Sequence, residues 1–222
     1  MKIIKIIFFI CFSFLINLTY AQVFEDDAML FLGINAEKKI NDKFTIALNE
    51  QVRFNQNISN FQQANTTLLL YYKINKNSKV DVGYNNRQKK ELEDYYSFRN
   101  RYFASIYYKY KIKKITLTNR LRYQTSTYTD KDNSNSNFIR YKLSVKYNVN
   151  TKIDFSLSNE INCPLFNPNT LPINRNRSAA ELTYRFTKKI NTEIYFMFQR
   201  KYNYKGAPRR QFIIGANLNF EF

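Results

Sequence analysis

Histidine is absent from all 222 residues. That absence excludes Ser-His and Cys-His nucleophilic systems and every His-ligated metal site. Cysteine is nearly absent: Cys11 sits in an apolar leader, and Cys163 is the only other. Once the leader is removed no intrachain disulfide is possible, so stability must come from a large core or a closed sheet. There are only four glycines, and they form no phosphate-cradling motif. Tryptophan is missing, and acids are outnumbered by 17 to 35, for a net charge of +18. No long apolar run follows the leader, so no ordinary membrane-spanning helix is encoded. A mean hydropathy of −0.51 reads as soluble, but alternating strands average to a weak signal, so this does not count against a barrel.

The leader itself has a clear order. Lys2 and Lys5 precede the apolar run Ile6 to Ile16, and Asn17-Leu18-Thr19-Tyr20-Ala21 follows. Basic, apolar, then small-x-small is the pattern of a secretory signal peptide cut after Ala21. The expected organisation is residues 1–21 as signal peptide and 22–222 as one domain.

What fills that domain is alternation with period 2. Phe212, Ile214, Ala216, Leu218, Phe220 and Phe222 fall on one face of an extended strand, with Gln211, Gly215, Asn217, Asn219 and Glu221 on the other. Ile213 is the exception on the polar face. The same pattern recurs from Leu30, Leu32 and Ile34 through Ile139, Tyr141, Leu143 and Val145. Short polar turns such as Ile40-Asn41-Asp42-Lys43 alternate with longer loops such as Thr127 to Asn137. A Pro-bearing loop is expected from Cys163 to Asn176. Eleven strands can be traced, whereas the length of the chain suggests about twelve. The expectation is an all-β, transmembrane, antiparallel up-and-down β-barrel of ten to twelve strands, about twelve.

The two faces differ in charge. One is apolar and aromatic, with Glu50 and Arg200 as exceptions that a bulge or an interfacial position would explain. The other carries a basic ladder of Arg53, Arg87, Arg99, Arg101, Arg120, Arg122, Arg140, Lys142 and Arg185, with Asp154, Glu160 and Glu181 among its acids. Tyrosines near strand ends favour lipid outside and a polar lumen inside. The motifs Phe98-Arg99-Asn100-Arg101-Tyr102, Asn119-Arg120-Leu121-Arg122-Tyr123-Gln124 and Ile139-Arg140-Tyr141-Lys142 resemble an uncharacterised family of small bacterial outer-membrane β-barrel proteins. The resemblance implies a barrel in the outer membrane and no reaction. A strand ending on Phe222 also looks like a closing strand whose terminal aromatic is read by the barrel-assembly machinery.

Function follows from the lumen. A basic, polar interior is expected to form a narrow channel for anionic or polar solutes. The arginine ladder resembles, in kind only, those of narrow acidic-oligosaccharide porins. The alternative is a closed structural or adhesion barrel plugged by an Arg-Glu network. The acids decide between the two: next to the arginines they plug the lumen, and apart from them they leave a basic path. No catalysis, cofactor, metal or nucleic acid is expected; the partners are outer-membrane lipid, the assembly machinery and small anions.

Overall fold

The computed structural model describes residues 25–91, 95–128, 135–165, 171–202 and 208–222. The signal peptide lies outside these residues. Eleven strands run in chain order: β1 Glu25–Lys39, β2 Phe44–Asn55, β3 Asn60–Lys73, β4 Ser78–Lys90, β5 Tyr96–Ile112, β6 Ile115–Tyr128, β7 Ser136–Asn148, β8 Ile153–Leu165, β9 Arg175–Arg185, β10 Ile190–Lys201 and β11 Arg209–Glu221. Each pairs with the next, and β1 pairs with β11, so the sheet closes into a barrel with no free edge.

Ten of these pairings are antiparallel; the seam is not. β1 and β11 run parallel, from Glu25 opposite Arg209 to Glu37 opposite Glu221. The physical reason is parity. In a meander each strand reverses the one before it, so the first and the eleventh point the same way. The observed number lies within the expected ten to twelve, and the expected all-antiparallel pairing is replaced by a mixed barrel. Glu25 to Asp27 extend β1 and do not form a further strand.

The short ends share one turn design. Asn41 Oδ1 accepts hydrogen bonds from the N–H groups of Lys43 and Phe44. Asn75 does the same for Asn77 and Ser78, and Asn150 for Lys152 and Ile153. In a fourth turn Thr187 Oγ1 takes this place. The side-chain oxygen mimics a backbone carbonyl, which is why Asn and Thr recur there. The turn between β5 and β6 is tighter, with Lys113 at φ 49°.

The longer connections are shorter than the sequence suggests. β3 already begins at Asn60, and the bend before it places Gln56, Asn57 and Ile58 at positive φ. Cys163, Pro164 and Leu165 belong to β8, with Pro164 opposite Phe138, and Arg175 opens β9. The proline stands near the end of its strand, where a missing N–H costs least.

Side chains sort by the pleat. Leu32, Leu48, Leu68, Val82, Leu121, Leu157 and Ile194 project outward and are exposed. Aromatic pairs flank this apolar belt. Phe44 and Tyr72 stand toward the turn end with centroids 5.1 Å apart, and Phe198 and Phe212 toward the loop end at 5.4 Å. So wide an exposed apolar band, framed by aromatics, suits lipid and not water. Glu50 does point outward, where it accepts a hydrogen bond from Thr66. The register shift lies further on, between Arg53 and Phe54, and does not explain Glu50.

The core lies inside the barrel and is largely polar. Two small apolar clusters break it. Met29, Phe31, Tyr195 and Ile213 form one across the seam; Ala47, Leu69 and Phe103 form the other. Ile213, the exception to alternation, is wholly buried in the first.

Candidate functional site

The inward positions of every strand line a column of three cavities. A loop-end cavity of about 750 Å³ is bordered by Arg53, Arg87, Arg175, Arg177 and Lys201. A middle one of about 120 Å³ is enclosed by Arg53, Arg87, Arg99, Arg101, Arg140, Arg175 and Arg177 with Gln63, Asn65, Gln124 and Asn162. A turn-side one of about 440 Å³ is lined by Arg120, Arg122, Lys142, Glu181, Glu193 and Tyr107 among others. Arg53 borders all three. Its guanidinium lies 4.3 Å from the centroid of the Phe31 ring, and its Nε donates to Gln51 Oε1 at 2.7 Å. A cation held against an aromatic face keeps its charge while the ring fixes its place.

The acids are not spread evenly. Among the described residues Glu160, halfway along β8, is the one carboxylate at ion-pair distance of the arginines of the middle. Arg120 binds one of its oxygens; Arg140 and Arg177 reach the other at 2.7 and 3.2 Å. These contacts tie β6, β7 and β9 to β8. Asp26, Asp27 and Glu91 line the loop-end cavity, and other acids stand toward the turn end. Asp154 is fully buried against Arg185, Lys146 and Asn148. Asp81 accepts from Tyr107 at 2.6 Å and pairs with Arg122 at 3.4 Å. Glu181 and Glu193 line the lower cavity. Among the described residues no carboxylate reaches ion-pair distance of Arg53, Arg87, Arg99, Arg101 or Arg175. Neutral groups hold some of them: Arg99 donates to Ser136 at 2.7 Å and Arg101 to Ser126 at 3.4 Å.

The lumen therefore carries its densest cluster of arginines at the middle cavity, with acids in the lining of the cavities on either side. Of the ladder expected from sequence, Arg53, Arg87, Arg99, Arg101 and Arg140 converge on the middle cavity. Arg120, Arg122 and Lys142 line the chamber below it. Arg185 is separate, bound to Asp154 beside the turn. Of the three acids, Glu160 meets arginines of the ladder, Asp154 meets only Arg185 among them, and Glu181 forms no ion pair among the described residues.

Arg175 and Arg177 complete the cage and are not part of the expected ladder. Arg175 stands in the expected Pro-bearing loop and Arg177 just beyond its end at Asn176, yet both belong to β9. A signal was present: Arg175, Arg177, Ala179 and Glu181 continue one period-2 series. Phe222 ends the outward series. Its N–H donates to Glu37 at 2.9 Å and its ring stacks on Phe220 at 6.5 Å, at the foot of the seam. Among the described residues no group of three potential metal ligands converges.

The comparisons with known proteins agree with this architecture. Residues 29–210 match the profile of the family described as Protein of unknown function (DUF2490), and the chain belongs to that family. No curated protein sequence matches it. Among solved structures it is similar to the NanC porin, in a rhombohedral crystal form, with a TM-score of 0.56 and 15% identity over 88% of this chain and 99% of that one. It is also similar to the KdgM porin, with a TM-score of 0.50 and 10% identity over 85% and 89% of the two chains. At such identities the likeness is one of fold.

Proposed function

We propose that this member of the DUF2490 family spans the outer membrane and forms a narrow channel that prefers anions. The observation that carries the reading is the column of cavities with a middle ringed by seven arginines, five of which have no carboxylate at ion-pair distance among the described residues. Positive charge that is not cancelled lowers the energy of an entering anion and raises that of a cation. The apolar belt outside supports a bilayer setting, and the solved structures it resembles in fold are porins. The solute class remains that of small anionic or polar molecules, because the middle cavity is too small for a large one to rest in.

A second reading has its own observation. Glu160 draws Arg120, Arg140 and Arg177 together across the interior, which narrows the lumen as a plug would. A closed barrel would then serve as a structural or adhesive element through its loops.

Planar-bilayer recording separates the two. An anion channel gives small discrete steps, and a KCl gradient shifts its reversal potential toward that of chloride. Arg101→Gln with Arg175→Gln reduces that preference. A folded barrel with no steps at all leaves the plug.

A further inference from the structure

We propose that the middle of the lumen is a binding site for one compact oxyanion of the phosphate type, held by the arginines of β2, β4, β5, β7 and β9. This deepens the channel reading and rests on the same lumen, but it concerns occupancy rather than conduction.

The first ground is charge. Arg53, Arg87, Arg99, Arg101 and Arg175 face one enclosed cavity with no carboxylate at ion-pair distance among the described residues. Arginine does not give up its proton in a protein. A buried lysine cluster could relieve repulsion by deprotonating, but an arginine cluster cannot. Glu160 does not supply the missing charge, since Arg120, Arg140 and Arg177 already share it. An anion in this cavity would supply the balance.

The second ground is donors. The Nε atoms of Arg87, Arg99, Arg140 and Arg175 are buried and have no hydrogen-bond partner. All four residues line the same cavity. Buried donors are ordinarily satisfied, and four without a protein partner beside one space call for an acceptor that the protein itself does not supply. Guanidinium groups pair with planar or tetrahedral oxyanions through two parallel N–H bonds.

The third ground is size. The cavity holds about 120 Å³. A phosphate group fits that space. The wider cavity of about 750 Å³ on the loop side shares Arg53, Arg87, Arg175 and Arg177 with it. A larger solute can therefore stand there while its phosphate enters the cage. The occupant is either free inorganic phosphate or the phosphate group of such a solute.

The test is calorimetric titration of the protein, extracted from membranes in detergent, at neutral pH in chloride of constant ionic strength. The probes are inorganic phosphate and glucose 6-phosphate. Saturable binding of about one phosphate per chain is expected. Tighter binding of glucose 6-phosphate assigns the site to the group on a larger solute, and equal or weaker binding assigns it to the free ion. Arg175→Gln should weaken phosphate binding about tenfold or more, as loss of a charge-assisted hydrogen-bonding partner implies. Arg185→Gln, at the turn end, should leave it unchanged. If phosphate gives no saturable signal beyond that of chloride, the inference falls on the unaltered protein alone, whatever the variants do. A barrel that passes anions selectively yet binds no phosphate loses this site and keeps the channel. One that binds phosphate and passes no current does the reverse.

Discussion

The ring of Tyr195 occupies the place where a Cβ of Gly215, its cross-strand partner, would stand. Phe103 stands in the same relation to Gly83. Neither glycine has a positive φ, so neither serves a turn. Both give up a side chain so that an aromatic ring can lie against the wall and leave the lumen clear. The pairing of a strand glycine with a cross-strand aromatic is a known way to pin register.

This predicts a specific non-additivity. Gly215→Ala should push the Tyr195 ring off the wall and cost about 1–3 kcal/mol, the usual range for overpacking. Tyr195→Ala alone removes a buried ring. The double variant should cost less than the two changes added, because the clash is gone. Unfolding in urea with the protein in lipid vesicles measures all three. Simple additivity would show that the glycine is not a seat for the ring.

A second prediction concerns the two faces of β7. Leu143 is 36% exposed on the outside, and Ser144 is inward on the next residue. Leu143→Arg should cost roughly 2–4 kcal/mol near the bilayer midplane, and Ser144→Arg far less. Core burial would give the same ranking, so a probe must decide. In a Cys163→Ser background, a labelled cysteine at 143 should be quenched by lipid-attached probes and one at 144 should not. If neither is quenched, the apolar belt does not meet lipid and the channel reading goes with it.

Glu160 carries a third prediction. Replacing it with Gln leaves Arg120, Arg140 and Arg177 facing one another with no carboxylate between them. Removing one partner of a buried ionic cluster costs about 3–5 kcal/mol. Adding Arg140→Gln should recover part of that loss. A change below about 1 kcal/mol would place the cluster in the range of solvated ion pairs. It would then not act as a brace across the barrel.

The last prediction is a titration at the first turn. Lys39 Nζ donates to Asp42 at 2.8 Å. That hydrogen bond, and then the lysine charge, hold the exposed Asp42 carboxyl below its usual value. A depressed folded-state pKa adds support above the unfolded value, which is lost as pH falls through the folded one. The turn contact should therefore persist at neutral pH and weaken only well into acid, below about pH 4. Lys39→Ala should return Asp42 to ordinary titration. Carboxyl NMR that shows the same midpoint with and without Lys39 would refute the contact.

The amino-acid sequence alone determined the period. Alternation along each strand needs only neighbours two apart, so faces, turns and strand identities were legible, including the odd placement of Ile213 and Glu50. The Asn and Thr of the turns act on N–H groups two and three residues on, again a local matter. Closure was not local. Eleven strands force a parallel seam, but only the closed sheet shows that β1 meets β11 and that Glu25 to Asp27 add nothing further. The charges depended on closure as well. Arg120, Arg140, Arg177 and Glu160 come from four strands, and Arg185 shares their alternation yet sits beside Asp154 at the turn end. Strand period says that a side chain points inward; axial level and position around the ring decide which inward charges meet. Those two coordinates exist only once the sheet has closed, and they separate a cage of arginines from a ladder that is merely basic.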